Sequence, residues 1–139
     1  MTPRVSVVIP TYNRPHFLVK TLESLMVQED VDGLYEVIVV SDGSTDDTHT
    51  FLGEFCRIHP IFRYVAQENQ GPAAARNFGL EQATGEIVAY TDDDCVADPG
   101  WIREIIRMFD ERSEILGMEG QTVTIEDQVY GQLWLHLAF

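Results

Sequence analysis

Short β-rich runs alternate with amphipathic helical patterns along this chain, and that order constrains the fold most. The apolar runs predict five strands, at 5–9, 36–40, 62–66, 86–90 and 118–125. Helical spacing of apolar residues fills the intervals between these runs, and Pro15 and Pro99 suit the first turns of two helices. Strands that alternate with helices are typical of a parallel α/β sheet with right-handed crossovers.

Polar clusters follow three of the predicted strands. They are Pro10-Thr-Tyr-Asn-Arg14, Ser41-Asp42-Gly43 and Thr91-Asp-Asp-Asp94. In a parallel sheet the carboxyl ends of the strands share one edge, and ligands bind there. We therefore expect clusters that lie 30 to 50 residues apart in sequence to meet at one cleft.

The densest of these clusters is the acidic run Asp92, Asp93 and Asp94, directly after a short buried strand. Adjacent carboxylates repel one another, and a bound cation would offset the repulsion. Hard oxygen ligands suit Mg²⁺ or Mn²⁺, often together with a phosphate-bearing partner. A solvated acidic turn is the alternative for this run taken alone.

Three other residues each have a binding and a structural interpretation. Tyr12 could stack on a nucleobase or pack over the start of a helix. Asp42 could accept from a base N–H or be satisfied by backbone N–H groups of its own turn. Arg76, early in a helix of small residues, could reach pyrophosphate oxygens or lie on the helix surface.

Composition narrows the classes of partner. A chain of 139 residues, 45% of them hydrophobic, is long enough for one domain, 1–139, with a core of its own. Its net charge of −14 argues against nucleic acid as the main partner. No apolar stretch reaches transmembrane length, and two cysteines without a CxxC pair favour a reducing cytoplasm.

The last segment has helical spacing at Tyr130, Leu133, Trp134 and Leu137 and stops at Phe139 without a polar tail. We expect the chain to be the N-terminal part of a longer protein. The apolar face of this helix could also pair two copies into a homo-oligomer.

Four segments together resemble the family 2 glycosyltransferases, which are inverting enzymes. They are Val5-Ser-Val-Val-Ile-Pro-Thr-Tyr-Asn-Arg14, Val39-Val-Ser-Asp-Gly-Ser-Thr-Asp46, Asn69-Gln-Gly-Pro-Ala-Ala-Ala-Arg-Asn77 and Tyr90-Thr-Asp-Asp-Asp94. They occur in the family's order and approximate spacing. The resemblance implies the GT-A fold, a Rossmann-like, three-layer α/β sandwich with a mainly parallel sheet, here truncated at the C-terminus.

The resemblance also implies a site. The residues that it assigns to the nucleotide are Pro10, Thr11, Tyr12, Arg14, Asp42, Arg76, Asp92 and Asp93. The family's DxD motif corresponds to Asp92 and Asp94, which would hold Mn²⁺ or Mg²⁺, with Asp94 as the main ligand. The metal would offset charge on the diphosphate leaving group.

The implied reaction is transfer of a sugar from a nucleoside diphosphate to an acceptor hydroxyl with inversion. Uridine is the favoured base, with guanosine and thymidine open, and the acceptor could be a saccharide, a lipid or a protein, as in cell-wall or polysaccharide synthesis. The family's general base lies in a later motif, which we expect beyond Phe139, because Glu126-Asp127 comes too early. We therefore expect weak transfer by these residues alone. The full-length protein would be cytoplasmic or peripheral at the inner face of the membrane.

Three alternatives remain at this point. The domain could bind nucleotide without turnover. Asp92-Asp-Asp-Cys-Val96 also fits, formally, the nucleophile motif of haloacid dehalogenase-type phosphatases. A nucleotidyltransferase would need a glycine-rich basic loop after its first strand, and the segment after Ile9 has none.

Overall fold

Four strands and four helices alternate along residues 2–121, the part of the chain that the computed structural model describes. In chain order they are β1 Val5–Thr11, α1 Pro15–Met26, β2 Tyr35–Asp42, α2 Thr48–Ile58, β3 Phe62–Gln67, α3 Pro72–Gln82, β4 Ile87–Tyr90 and α4 Trp101–Glu111. The strands form one sheet in the order β3-β2-β1-β4, and every neighbouring pair is parallel. The predicted parallel α/β architecture is confirmed.

Alternate residues of the buried strands face two separate apolar cores. Val7 and Val39 belong to the larger core, which contains α1, α2 and α4. Val8 and Val40 point the other way, into a smaller core beneath α3. The sheet therefore lies between two helical layers, which confirms the predicted three-layer sandwich.

Helix α3 lies unusually close to the sheet at Gly79. A Cβ atom at this position would stand 2.3 Å from Cγ1 of Val8, well inside van der Waals contact. The absent side chain thus lets the helix backbone approach β1. This approach brings the first two turns of α3, with Arg76, to the carboxyl edge of the sheet.

The register of β1 and β4 sets the position of the acidic run. Strand β4 ends at Tyr90, which lies opposite Val8. The N–H of Thr91 then donates to the carbonyl of Val8 at 3.2 Å. Because β1 continues for three residues past Val8, the loop 92–94 runs beside the last residues of that strand.

Several expected boundaries are wrong. Residues 118–121 are not a strand, and the rest of the expected fifth strand lies outside the described residues, as does the expected C-terminal helix. Helix α4 begins at Trp101, so Pro99 precedes its N-cap, Gly100.

Glu36 joins three segments at the amino end of the sheet. Its Oε1 accepts hydrogen bonds from the Ser6 hydroxyl at 2.6 Å and from the Thr84 N–H at 2.9 Å, and its Oε2 pairs with Nε of Arg63 at 3.2 Å. Burial alone would raise the pKa of Glu36, but these hydrogen bonds more than offset it and hold the pKa below its ordinary value.

We expect Glu36→Gln to lower the free energy of unfolding at neutral pH by about 1–2 kcal/mol, because the ion pair and the charge-assisted bonds are lost. A lowered pKa in the folded state stabilises the protein above the ordinary glutamate pKa, and that contribution disappears as pH falls through the folded-state pKa. The difference between the two proteins should therefore shrink in acid. Urea unfolding at several pH values measures it, with Glu23→Gln on the exposed side of α1 as control. A difference that stayed constant in acid would contradict this role.

Candidate functional site

A cavity of about 330 Å³ opens at the carboxyl edge of the sheet. All nine residues that the sequence assigned to the nucleotide and metal line it, together with Pro72. These residues are Pro10, Thr11, Tyr12, Arg14, Asp42, Arg76, Asp92, Asp93 and Asp94. The predicted convergence of the three polar clusters is therefore observed. Helix α3 adds a fourth group of lining residues, Pro72 and Arg76.

The three aspartates of the acidic loop do not have equivalent surroundings. The side chains of Asp92 and Asp94 are 30% and 25% exposed and border the cavity, whereas that of Asp93 is 6% exposed. Two carboxylates are thus available to a ligand, and the middle one is directed into the protein.

Asp93 links the acidic loop to the end of β1. Its Oδ2 accepts a hydrogen bond from the Thr11 hydroxyl at 2.8 Å, and its Oδ1 lies 3.2 Å from Nη1 of Arg14. Burial raises the pKa of Asp93, and these two partners only partly counter that effect. These contacts give Asp93 a structural role in joining the acidic loop to β1. Its contact with a nucleotide stays a prediction.

Two arginines from different elements neutralise the loop. Nη2 of Arg14 lies 3.2 Å from Oδ2 of Asp94, and Nη2 of Arg76 lies 2.8 Å from Oδ1 of Asp92. Arg14 precedes α1 and Arg76 lies in the first turns of α3. Opposite charges at these distances offset the repulsion among the adjacent carboxylates.

Asp42 ends β2, and its carboxylate accepts hydrogen bonds from the last residue of β3 and from the segment between β3 and α3. Its Oδ1 accepts from the Gln67 amide and from the Gln70 N–H, both at 2.8 Å, and its Oδ2 accepts from the Gly71 N–H at 2.9 Å. Burial would raise the pKa of Asp42, but these three donors lower it overall. The carboxylate borders the cavity and also fixes the loop before α3.

Tyr12 projects from the end of β1 with 46% of its surface exposed while lining the cavity. A ring packed over the start of α1 would be covered by that helix. The exposure therefore favours a ring that is free to stack on a ligand over a purely structural one.

Asn13 is a site residue that sequence reasoning missed. Its backbone has a φ of 52°, its Oδ1 accepts from the Thr45 N–H at 2.7 Å, and its own N–H donates to Oγ of Ser44 at 3.1 Å. These bonds tie the loop after β1 to the loop after β2. At the start of α2, Asp46 accepts a hydrogen bond from the N–H of Thr48. An Asn in a turn, where a positive φ is tolerated, was the available signal.

The acidic loop also holds the atoms of a candidate metal centre. One ligand atom from each of Asp92, Asp94 and Cys95 lies within 4.8 Å of the others. Burial raises the pKa of Cys95 to about 11 in the metal-free protein, and the two carboxylates are the hard oxygen ligands of the group.

Within residues 2–121, no helix combines the length and apolar character needed to cross a bilayer.

The structural neighbours of this three-layer sandwich with its parallel sheet are GT-A glycosyltransferases. The sequence model described as Glycosyl transferase family 2 matches residues 6–136. The chain belongs to this family. The phosphatase alternative is thereby overturned.

Relatives and solved structures agree with this assignment. An uncharacterized glycosyltransferase of Rickettsia felis is 40% identical over 91 residues, which cover 66% of this chain and 15% of that protein. The crystal structure of S. aureus TarS 1-349 in complex with UDP superposes with a TM-score of 0.80 at 28% identity, over 93% of this chain and 38% of that one.

A third similar protein is the mannosyltransferase PcManGT from Pyrobaculum calidifontis, in complex with GDP-Man and Mn²⁺. It superposes with a TM-score of 0.63 at 36% identity, over 69% of this chain and 29% of that one. This chain therefore spans well under half the length of each of these three proteins.

The turn after β2 offers a test of how the site is held together. Gly43 has a φ of 76°, and a Cβ atom there would stand 2.7 Å from the backbone nitrogen of Asn69. We expect Gly43→Ala to cost about 1–3 kcal/mol of unfolding free energy and to loosen residues 69–71. Chemical denaturation and amide exchange at Gln70 measure the two effects. Gly53→Ala is the control, because its Cβ would meet only Tyr64 Oη at 3.9 Å. Equal stability of the two variants would contradict a tight turn.

Proposed function

We propose that this chain binds the donor of a metal-dependent glycosyltransferase, a nucleoside diphosphate sugar, and presents it for inverting transfer to an acceptor hydroxyl. The observation that carries the proposal is the cavity that joins an exposed aromatic ring, two arginines and two partly exposed carboxylates. The aromatic ring suits the base of such a donor and the arginines suit its diphosphate. The carboxylates suit the metal ion that accompanies the diphosphate. The nucleotides bound by the TarS and PcManGT structures support the same class of ligand.

Asp92 and Asp94 are the residues that would hold a divalent cation, whereas Asp93 is nearly buried and is bonded to Thr11 and Arg14. Close carboxylate oxygens are the donors that Mn²⁺ and Mg²⁺ prefer, so the residues present fit such an ion. When bound, the ion supplies Lewis-acid stabilisation of charge on the departing diphosphate.

Arg14 and Arg76 would bind the diphosphate itself. Each guanidinium already lies at the cavity, and guanidinium forks match phosphate oxygens in pairs. Their charges also make a local positive contribution in a chain of net charge −14, which explains how an acidic protein could hold an anionic donor.

The nucleoside would lie against Tyr12, Pro10 and Thr11, within reach of Asp42. A carboxylate has about four acceptor positions, and Asp42 uses three of them on the segment before α3. One position remains for a ring N–H, which uracil, thymine and guanine have. Uridine is the favoured base, and the UDP complex of TarS supports that choice.

Direct displacement needs a base to deprotonate the attacking hydroxyl. Among the carboxylates that line the described cavity, Asp42 and Asp93 are engaged by several protein donors, and Asp92 and Asp94 are the proposed metal ligands. We therefore propose that residues 2–121 bind and orient the donor and that these 139 residues alone transfer sugar slowly. Saccharide, lipid and protein acceptors are equally compatible with this proposal.

The metal assignment predicts the behaviour of Asp94→Asn. Mn²⁺ should tighten UDP binding to the unchanged protein by about tenfold or more, and to the variant by less than about twofold. Isothermal titration with Mn²⁺ or with EDTA measures both ratios. Asp32→Asn, in the exposed connection before β2, is the matched control. An undiminished Mn²⁺ effect in Asp94→Asn would refute the assignment.

The nucleoside assignment makes a different prediction for Asp42→Ala. Loss of its contact with the base and with Gly71 should raise the Kd for UDP about tenfold and leave the Mn²⁺-to-EDTA ratio unchanged. The same titrations, with Asp32→Ala as control, give both numbers. If the variant bound UDP as tightly as the control, the assignment of Asp42 to the nucleoside site would be wrong.

A further inference from the structure

Arg14 is held by three partners at the mouth of the cavity. Its guanidinium carbon lies 4.8 Å from the ring centre of Phe17, in the first turn of α1. Nη1 lies 3.2 Å from Oδ1 of Asp93, and Nη2 lies 3.2 Å from Oδ2 of Asp94. The guanidinium thus occupies the side of the acidic loop that contains the main proposed metal ligand.

We propose that Arg14 is a built-in counter-ion of the acidic loop. It competes with the divalent cation for Asp94 and moves to the diphosphate when the donor binds, so that metal and nucleotide bind cooperatively. The inference deepens the proposed function and depends on it. It concerns the order and strength of ligand binding, which the family assignment leaves open.

Competition follows from the placement of charge. Asp94 carries one negative charge, and Arg14 already neutralises it through a direct ion pair. A dication on the same carboxylate would lie close to the guanidinium, and like charges at such separations repel strongly at the edge of a protein. Without nucleotide, a cation must therefore either displace Arg14 from Asp94 or bind beside its positive charge. Either requirement weakens the binding of the cation.

The side chain of Arg14 is able to make this move. It is 42% exposed, more than either carboxylate that it contacts. The Phe17 ring, 43% exposed, offers the guanidinium a second favourable contact that does not depend on Asp94. Arg14 can therefore leave Asp94 without losing every partner.

An anionic donor removes the competition between Arg14 and the cation for Asp94. Diphosphate oxygens provide the guanidinium with paired, charge-assisted hydrogen bonds in exchange for the bond to Asp94. Asp94 is then released to the cation. Because coupling between two ligands is reciprocal, the cation must tighten nucleotide binding by the same factor.

Arg14→Gln tests the proposal by metal binding alone. Electron paramagnetic resonance of free Mn²⁺ reports the bound fraction without any catalytic assay. We expect the variant to bind Mn²⁺ without nucleotide about five- to tenfold more tightly than the unchanged protein. UDP should tighten Mn²⁺ binding less in the variant, because Arg14 is no longer there to be released.

Three further proteins make the outcome interpretable. Arg14→Lys keeps the positive charge and should retain most of the coupling between Mn²⁺ and UDP. Arg14→Met removes the charge with an apolar side chain and should behave as Arg14→Gln. Arg107→Gln is the control, since Arg107 pairs with Glu104 and Glu111 on the exposed side of α4. Thermal unfolding of each protein verifies that it is folded.

Two negative results have different meanings. If the unchanged protein binds Mn²⁺ and UDP together but both neutral variants leave Mn²⁺ affinity unchanged or weaker, the counter-ion role is wrong and the proposed function stands. If the unchanged protein binds no Mn²⁺ with or without UDP, the donor site and the counter-ion role both fail.

Discussion

Mutual repulsion among Asp92, Asp93 and Asp94 is the constraint on which the carboxyl edge of this protein depends. Three adjacent carboxylates are tolerated because the Thr11 hydroxyl donates to Asp93 and two arginines arrive from other elements. Each arginine is therefore both a structural counter-charge and a candidate ligand for phosphate. The charge balance that holds the loop without ligand is also the reason that the loop should respond to a metal ion and an anion together.

Backbone geometry brings these charges within reach of each other. Parallel pairing places the ends of β1, β2 and β4 along one edge, and the early end of β4 leaves the acidic loop to run beside β1. The close approach of α3 at Gly79 supplies the second arginine. Hydrogen bonds from the Thr45 N–H to Asn13 and from the Gln70 and Gly71 N–H groups to Asp42 then join neighbouring loops, so that the segments around the cavity hold one another in place. A preformed cavity of this kind spends little binding energy on ordering.

The sequence predicted most of the architecture because strand and helix periodicities are strong local signals, and it predicted that the polar clusters after β1, β2 and β4 would meet because parallel strands end at one edge. The nine site residues themselves were implied by the family resemblance, and their contacts with nucleotide and metal stay predictions. It could not predict that Asp93 is buried or that Asp42 is bonded to the segment before α3. Those features depend on which groups meet across 25 to 82 residues of sequence. The boundary at Pro99 failed for a local reason, because Gly100 and Asp98 together set where α4 begins.

The most direct test of the central claim is where a metal–nucleotide complex binds. Amide ¹H–¹⁵N spectra recorded with UDP and substoichiometric Mn²⁺, against a Mg²⁺ reference, locate the paramagnetic ion by the resonances that it broadens. Broadening should centre on residues 91–95 and 11–14, with the amides of Ser6 and Glu36 at the opposite end of the sheet least affected. Broadening centred anywhere else, or spread evenly over the protein, would contradict a donor site at the carboxyl edge.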